Sequence, residues 1–391
     1  MAKRFTTIFP ITVNSHLIKD LGQIPHFLNL QHDYQTEIIT YKNSEDYFHT
    51  EDEVHGVKMV FIENTGKKHF WEKGVVDYLK EHAKNIDVLN LYHFKKETFI
   101  YGNLYKQLNP KGKLYVKMDA YNEHFKKGRL KHTTKPLKKL YFKLLEKKFL
   151  ATVDILTIEN TEGLALVKQH YPELNNKIHY LPNGVNDVYI NQHFPKTKGY
   201  SEKENIILTV GRIGLEVKNN EMLLKVIPKL ELKGWKVQFV GPIYPPFQTK
   251  IDQFFEDNPS LKNQVLFVGE VPDRKELYAY YDNSKICCLT SPFESFGIAF
   301  VESMYFGNYI VGTTGMSAFK EISNNFKFGV WTEVDDVQTY ANELQKLIDN
   351  ENLLEEKSEE IKVFTKQNFT WSAIVNQLNQ LLFILFSPIF E

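Results

Sequence analysis

The stretch KICCLTSPFESFGIAFVE, residues 285–302, carries the reading that decides the fold. KICCLT is a compact, largely apolar run of strand length. SPFES is a turn, and a helix is predicted to begin near Phe296. A strand without polar alternation is one buried on both faces, as in a parallel sheet covered by helices. The same unit recurs outward in both directions. EIITY, VKMVFI, DVLNLY, KLYVKM and DILTIE precede it, and NIILTVG, KVQFVG, QVLFVG and NYIVGT surround it. Helix-like segments such as NNEMLLKVIPKLELKG and RKELYAYYDNS lie between the runs. Alternating strands and helices predict an α/β chain built of doubly wound, Rossmann-like parallel sheets.

The 391 residues exceed what one ordinary core organises, which points to two domains of similar size. Residues 186–204 (NDVYINQHFPKTKGYSEKE) are polar and aperiodic and read as a linker. The expected domains are 1–185 and 186–370, with 371–391 as a terminal helix. Hydrophobic residues make up 42% and charged residues 25%, an ordinary soluble composition, and the formal net charge is zero. Global charge therefore predicts no nucleic-acid partner. The two cysteines, Cys287 and Cys288, are adjacent and sit in a strand-like run, which argues against a disulfide framework or a zinc site. The N-terminal MAKRFTTIFPITVN lacks a long apolar core and reads as a first strand, not a leader, and no run approaches a membrane span. The expected location is cytoplasmic.

Two segments carry chemistry. Strand Ile206–Val210 runs into Gly211-Arg212, with Lys218 six residues later at a helix entrance. Ligands in open α/β sheets bind beyond the carboxyl ends of strands, and two cations there suit a diphosphate. Neither the dinucleotide fingerprint nor a Walker A loop is present. In the second segment the amides of Phe296, Gly297 and Ile298 open a helix and form an anion site. Glu294 precedes that helix. Glu302 lies on it among apolar residues, where a buried carboxylate needs a partner; either the two carboxylates take sugar and ribose hydroxyls, or Glu294 caps the helix and Glu302 is ion-paired.

Glu294 and Glu302, with seven residues between them, resemble the E-x7-E motif of the family-four retaining glycosyltransferases, which have the GT-B fold. TVGRI…EVKN, VLFVGEVPDRKELYAYYDNSKI, SPFESFGIAFVESMYFGNYIVGTTGMSAFKEI, VDILTIENTEG and HYLPNGVND resemble further family segments in order and spacing. The resemblance implies two Rossmann-like domains facing across a cleft, and a C-terminal helix crossing back to the first domain. It implies that Arg212 and Lys218 bind the diphosphate of a nucleoside diphosphate sugar, a UDP-sugar being favoured. It also implies that Glu294 contacts the sugar, Glu302 the ribose, Phe296, Gly297 and Ile298 the sugar and phosphate, and the loop at Val271 the base. No metal or other cofactor is implied.

The first domain departs from the family. Where many members carry a Gly-Gly loop, this chain reads NSHLIKDLG, which leaves Gly22, aided by Lys19, to bring amides to the phosphate. Where many place a histidine, KLYV runs into Lys117-Met-Asp119, making Asp119 the candidate beside the reacting carbon. The implied reaction is hexosyl transfer with retention to a hydroxyl of a glycan, glycolipid or glycoprotein. A nucleotide-sugar epimerase and a non-catalytic glycan-binding partner of another transferase are the alternatives.

Residues 126–148 hold ten Lys or Arg and a single acid, Glu146. Pro136 marks a helix start, and Leu137, Leu140, Tyr141, Leu144 and Leu145 form an apolar face. Two readings stand here: a domain helix with a solvated lysine face, or a basic amphipathic helix on an anionic membrane. Homo-oligomer formation is left open.

Overall fold

The computed structural model describes residues 2–68, 71–119, 122–129 and 135–386. Its chain forms two compact units, residues 1–186 together with 371–391, and residues 187–370. The stretch 186–204 read as a linker is instead structured. It contains the helix Asp187–His193 and a short turn at Tyr200–Glu202, and from Asp187 onward it belongs to the second unit.

The first unit holds a seven-stranded sheet of β1 (Arg4–Ile8), β2 (Gln35–Thr40), β3 (Lys58–Phe61), β4 (Val88–Tyr92), β5 (Lys113–Met118), β6 (Ile155–Ile158) and β7 (Ile178–Tyr180). The order is β3-β2-β1-β4-β5-β6-β7, and every pairing is parallel. Helices α1 (Asp20–His32), α2 (Lys96–Leu108) and α3 (Pro136–Thr152) pack around it. The unbroken apolar runs follow from burial on both faces. Leu89 and Leu91 of β4, with Leu114 and Val116 of β5, join one core cluster that includes Phe99 of α2 and Phe149 of α3. Val88 and Tyr115, one residue out of step, join a second cluster on the other face with Phe5 and Phe27.

The second unit holds a six-stranded sheet of β8 (Ile206–Val210), β9 (Lys236–Val240), β10 (Val265–Gly269), β11 (Ile286–Cys288), β12 (Tyr309–Thr313) and β13 (Gly329–Thr332), in the order β10-β9-β8-β11-β12-β13. All its pairings are parallel too. Helices α4 (Asn220–Val226), α5 (Arg274–Asn283) and α6 (Ile298–Tyr305) position the side chains discussed below. The last helix, α7 (Trp371–Phe386), returns to the first unit. Its buried Trp371, Ile374, Val375, Leu378 and Leu382 repeat at helical spacing and complete the cluster around Phe5 and Phe27. Burying each such large side chain stabilises the fold by about 1.5–3 kcal/mol.

Both sheets reverse direction once. In the first, the chain moves outward from β1 to β2 and β3, then restarts on the other side at β4. In the second it moves from β8 to β9 and β10, then restarts at β11. Loops leaving adjacent strands on either side of such a reversal diverge, which opens a crevice at the carboxyl ends of the strands. The crevices lie between β1 and β4 and between β8 and β11.

Candidate functional site

The second-unit crevice is lined by the loop after β8 and the loop after β11. The first loop passes Gly211 and Arg212 into a tight turn at Glu216–Lys218 and ends at Asn219, which has φ +46°. Thr290, just past β11, donates its hydroxyl to the carbonyls of Lys218 (3.1 Å) and Asn219 (2.9 Å) and so ties the two loops together. A Cβ on Gly241, after β9, would lie 1.9 Å from the carbonyl oxygen of Gly211, so only glycine lets these strand ends approach.

The loop after β11 is clamped from its other side. The Glu294 amide donates to Gly315 (3.0 Å), and Ser317 donates back to the Glu294 carbonyl (3.0 Å). With its backbone fixed, Glu294 extends its carboxylate to the Lys218 ammonium at 2.6 Å, and both side chains are about a quarter exposed. The pair spans the crevice. Beyond it, Gly297 takes φ +92° and caps α6. That left-handed corner opens α6, whose first amides have no partner within the helix. Phe296 is buried and packs edge-on against Phe369, while Ile298 begins the helix. Arg212 is exposed and makes no ion pair or hydrogen bond with a described residue.

Glu302 lies one layer deeper. It is buried, receives the Arg274 guanidinium on one oxygen (2.7 Å), and receives the Tyr281 hydroxyl on the other (3.0 Å). Arg274 also donates to the Tyr278 hydroxyl and lies over that ring. Burial, and then the Glu302 carboxylate, push the Tyr281 phenol well above its ordinary value, so it remains a donor. Arg274, Tyr278 and Tyr281 were not singled out from sequence. Their spacing of four and three puts them on one face of α5, the signal that was available. Val271, expected near a base, lies in the loop between β10 and α5, where Asp273 caps the helix through the amides of Lys275 (2.7 Å) and Glu276 (3.1 Å).

The first-unit crevice is furnished differently. Asp119 follows β5 and is half exposed; His93 follows β4 and meets it, Nδ1 to Oδ2, at 3.2 Å. His93 holds φ +65°, a backbone state that a non-glycine residue adopts only at a cost. Its amide donates to the Lys117 carbonyl (2.9 Å), and its own carbonyl accepts the Thr98 hydroxyl (2.8 Å). Burial works to raise the Asp119 carboxyl, but His93, Lys117 and Lys19 outweigh it and hold it below the ordinary value. Burial raises Asp20. One of its oxygens accepts the Leu21 amide (3.0 Å), and the other is buried without a hydrogen-bond partner. Burial, then the charges of Lys19 and His93, lower His16. His93 is the residue here that sequence reasoning passed over. Gly22 is not in an open loop: it lies in the first turn of α1, its amide donates to the Lys19 carbonyl (3.1 Å), and the Leu17 carbonyl fills the space a Cβ would need.

Two doubly wound parallel sheets, each with a crevice at its reversal, define the GT-B class. A glycosyltransferase from Rickettsia africae has this fold, with a TM-score of 0.74 over 99% of both chains at 16% identity. Anabaena HepE in complex with UDP shares it, with a TM-score of 0.71 over 98% of this chain and all of that one, at 14% identity. Residues 191–368, all within the second unit, match the family model described as glycosyl transferases group 1. The phosphatidyl-myo-inositol mannosyltransferase of Mycolicibacterium smegmatis is 28% identical over 175 residues, 44% of this chain and 43% of its own length. The chain spans about half the length of the curated relatives it matches.

Proposed function

We propose that the protein is a retaining glycosyltransferase that moves a hexose from a nucleoside diphosphate sugar to a hydroxyl acceptor without a metal ion. The observation that carries this is the Lys218–Glu294 pair across the β8/β11 crevice, beside the opening amides of α6. Within the pair each charge neutralises the other. A donor offers both a better partner: its diphosphate takes Lys218, Arg212 and the amides, and its sugar hydroxyls donate to Glu294. Developing negative charge on the departing diphosphate is then met by fixed cations and amide dipoles, which need no rearrangement as the bond breaks.

Glu302 serves the ribose, held ready by Arg274 and Tyr281. Val271 borders the base. Since both Glu302 oxygens already have partners, a ribose hydroxyl adds to this network instead of completing an empty one. In the first unit, Asp119 and His93 receive the acceptor side of the reaction. Asp119, held ionised beside His93, orients the acceptor, and the single proton of the attacking hydroxyl passes to the leaving phosphate oxygen on the same face of the sugar. The favoured donor is a UDP-sugar, supported by the UDP bound to the structurally similar HepE. A glycan or lipid-borne acceptor is in keeping with the phosphatidyl-myo-inositol named for the mycobacterial relative.

The test is release of nucleoside diphosphate from a panel of nucleotide sugars, with and without glycan and glycolipid acceptors. Release that requires an acceptor, with the anomeric configuration kept in the product, supports the reading. Isomerised donor without acceptor would make it an epimerase. Binding of donor without turnover under any acceptor would make it a non-catalytic partner.

A further inference from the structure

Helix α3 carries two apolar stripes, and only one is used by the fold. Phe142, Leu145, Glu146 and Phe149, at i, i+3, i+4 and i+7, face inward; Phe149 packs on Phe99 at 4.7 Å between ring centroids. Asn103 of α2 donates to the Leu145 carbonyl (2.9 Å), which fixes the rotation of α3. Leu137, Leu140, Tyr141 and Leu144 repeat the same spacing five residues earlier and therefore point the opposite way. They are 85%, 58%, 50% and 61% exposed. The apolar face read from sequence is thus not the face that packs, except at Leu145.

The charges divide in the same manner. Glu146, the single acid of the segment, is buried on the inner stripe. Lys138, Lys139, Lys143, Lys147 and Lys148 are exposed and form no ion pair with a described residue. On the helix, Lys143 and Lys147 flank the outer stripe on one side, and Lys148 follows in line with it at its C-terminal end. Lys126 and Arg129, by contrast, are occupied by Glu162 (3.4 Å) and Glu173 (2.5 Å). Lys131 lies outside the described residues. No helix among the described residues is long and apolar enough to cross a membrane.

We propose that α3 lies flat in the interface of an anionic lipid bilayer, with Leu137, Leu140, Tyr141 and Leu144 among the acyl chains and the lysines on lipid phosphates. Leucines bracketed by unpaired lysines match a surface that is apolar inside and anionic at its rim. A second copy of the chain would set like charges against each other. A nucleic acid would leave the leucine stripe in water. The inference rests on α3 alone and does not depend on the donor assignment.

The experiment is flotation of the full chain with vesicles of phosphatidylcholine alone, and with about a third of the lipid replaced by phosphatidylglycerol. Binding is expected to the anionic vesicles only and to fall steeply as salt rises. Leu140→Ser with Leu144→Ser, and separately Lys143→Gln with Lys147→Gln and Lys148→Gln, should each weaken it at least about tenfold. These positions are exposed, so melting curves should match the parent chain, and the comparison of neutral with anionic vesicles needs no substitution at all. Binding to neither vesicle, equal binding to both, or binding unmoved by either variant set would overturn the proposal. So would a concentration-dependent oligomer in solution that the double serine variant disperses, which would assign the stripe to self-association.

Discussion

The two crevices have the same origin in the sheet and different furniture. Between β8 and β11 stand fixed charges: Lys218, Glu294, Arg212 and the first amides of α6. Between β1 and β4 stand groups whose protonation the fold displaces: His16, lowered, Asp20, raised, and Asp119, lowered, with His93 against Asp119. A site of cations and helix amides is suited to holding a polyanion. A site of histidines and carboxylates is suited to handling protons. Under the proposed function the first should govern binding, and the second the rate and its pH dependence.

The largest effect expected is at the fixed-charge pair. Lys218→Met or Glu294→Gln should lower kcat/KM about 10²–10³-fold, the scale of losing one preorganised electrostatic contact. Steady-state kinetics with the best donor of the panel measures it. Deeper in the same unit, Arg274→Met leaves the Glu302 carboxylate buried with one partner gone and should cost about 3 kcal/mol of stability. Tyr281→Phe should cost about 1 kcal/mol, since the guanidinium remains. Denaturant titration of both variants separates a structural network from one needed only for ligand. If Arg274→Met were as stable as the parent chain, the network would not be holding Glu302.

Across in the first unit, Asp119→Asn should lower kcat by roughly tenfold to a hundredfold. It should leave nucleotide affinity within about twofold, because the groups proposed to hold the nucleotide are all in the other unit. A change confined to affinity would break the contrast between the crevices. A separate effect concerns Lys203, which precedes β8 in the second unit. Burial lowers its amine from 10.5 to about 7. Above that value the folded chain carries it neutral while the unfolded chain still protonates it. The unfolded state therefore binds more protons, and stability rises with pH from about 7 to 10.5. The slope has a ceiling of about 1.4 kcal/mol per pH unit. Lys203→Met should flatten that rise in melting temperature measured across the same range.

Sequence reading reached the fold because parallel strands buried on both faces announce themselves locally. KLYVKM and NIILTVG are such runs wherever they sit in the sheet. Sheet order is not local, and the crevices follow from it. Lys218 and Glu294 were each recognisable from a strand end nearby, but their 2.6 Å meeting joins positions far apart in the chain. Arg274 stood in plain view at the start of a helix; that it serves Glu302 depends on how α5 and α6 pack. His93 drew no attention because a lone histidine after a strand has no local mark, and its φ of +65° appears only in the backbone. The outer stripe of α3 was visible as an apolar face, but which of two faces the domain uses is decided by α2.

The most direct measurement is calorimetric binding of UDP, with ADP and GDP alongside, to the parent chain and to Lys218→Met and Asp119→Asn. The expected result is binding to the parent chain and to Asp119→Asn with similar affinity, and a loss of at least about tenfold in Lys218→Met. Binding unchanged in Lys218→Met, or abolished by Asp119→Asn instead, would contradict the assignment of the nucleotide to the β8/β11 crevice.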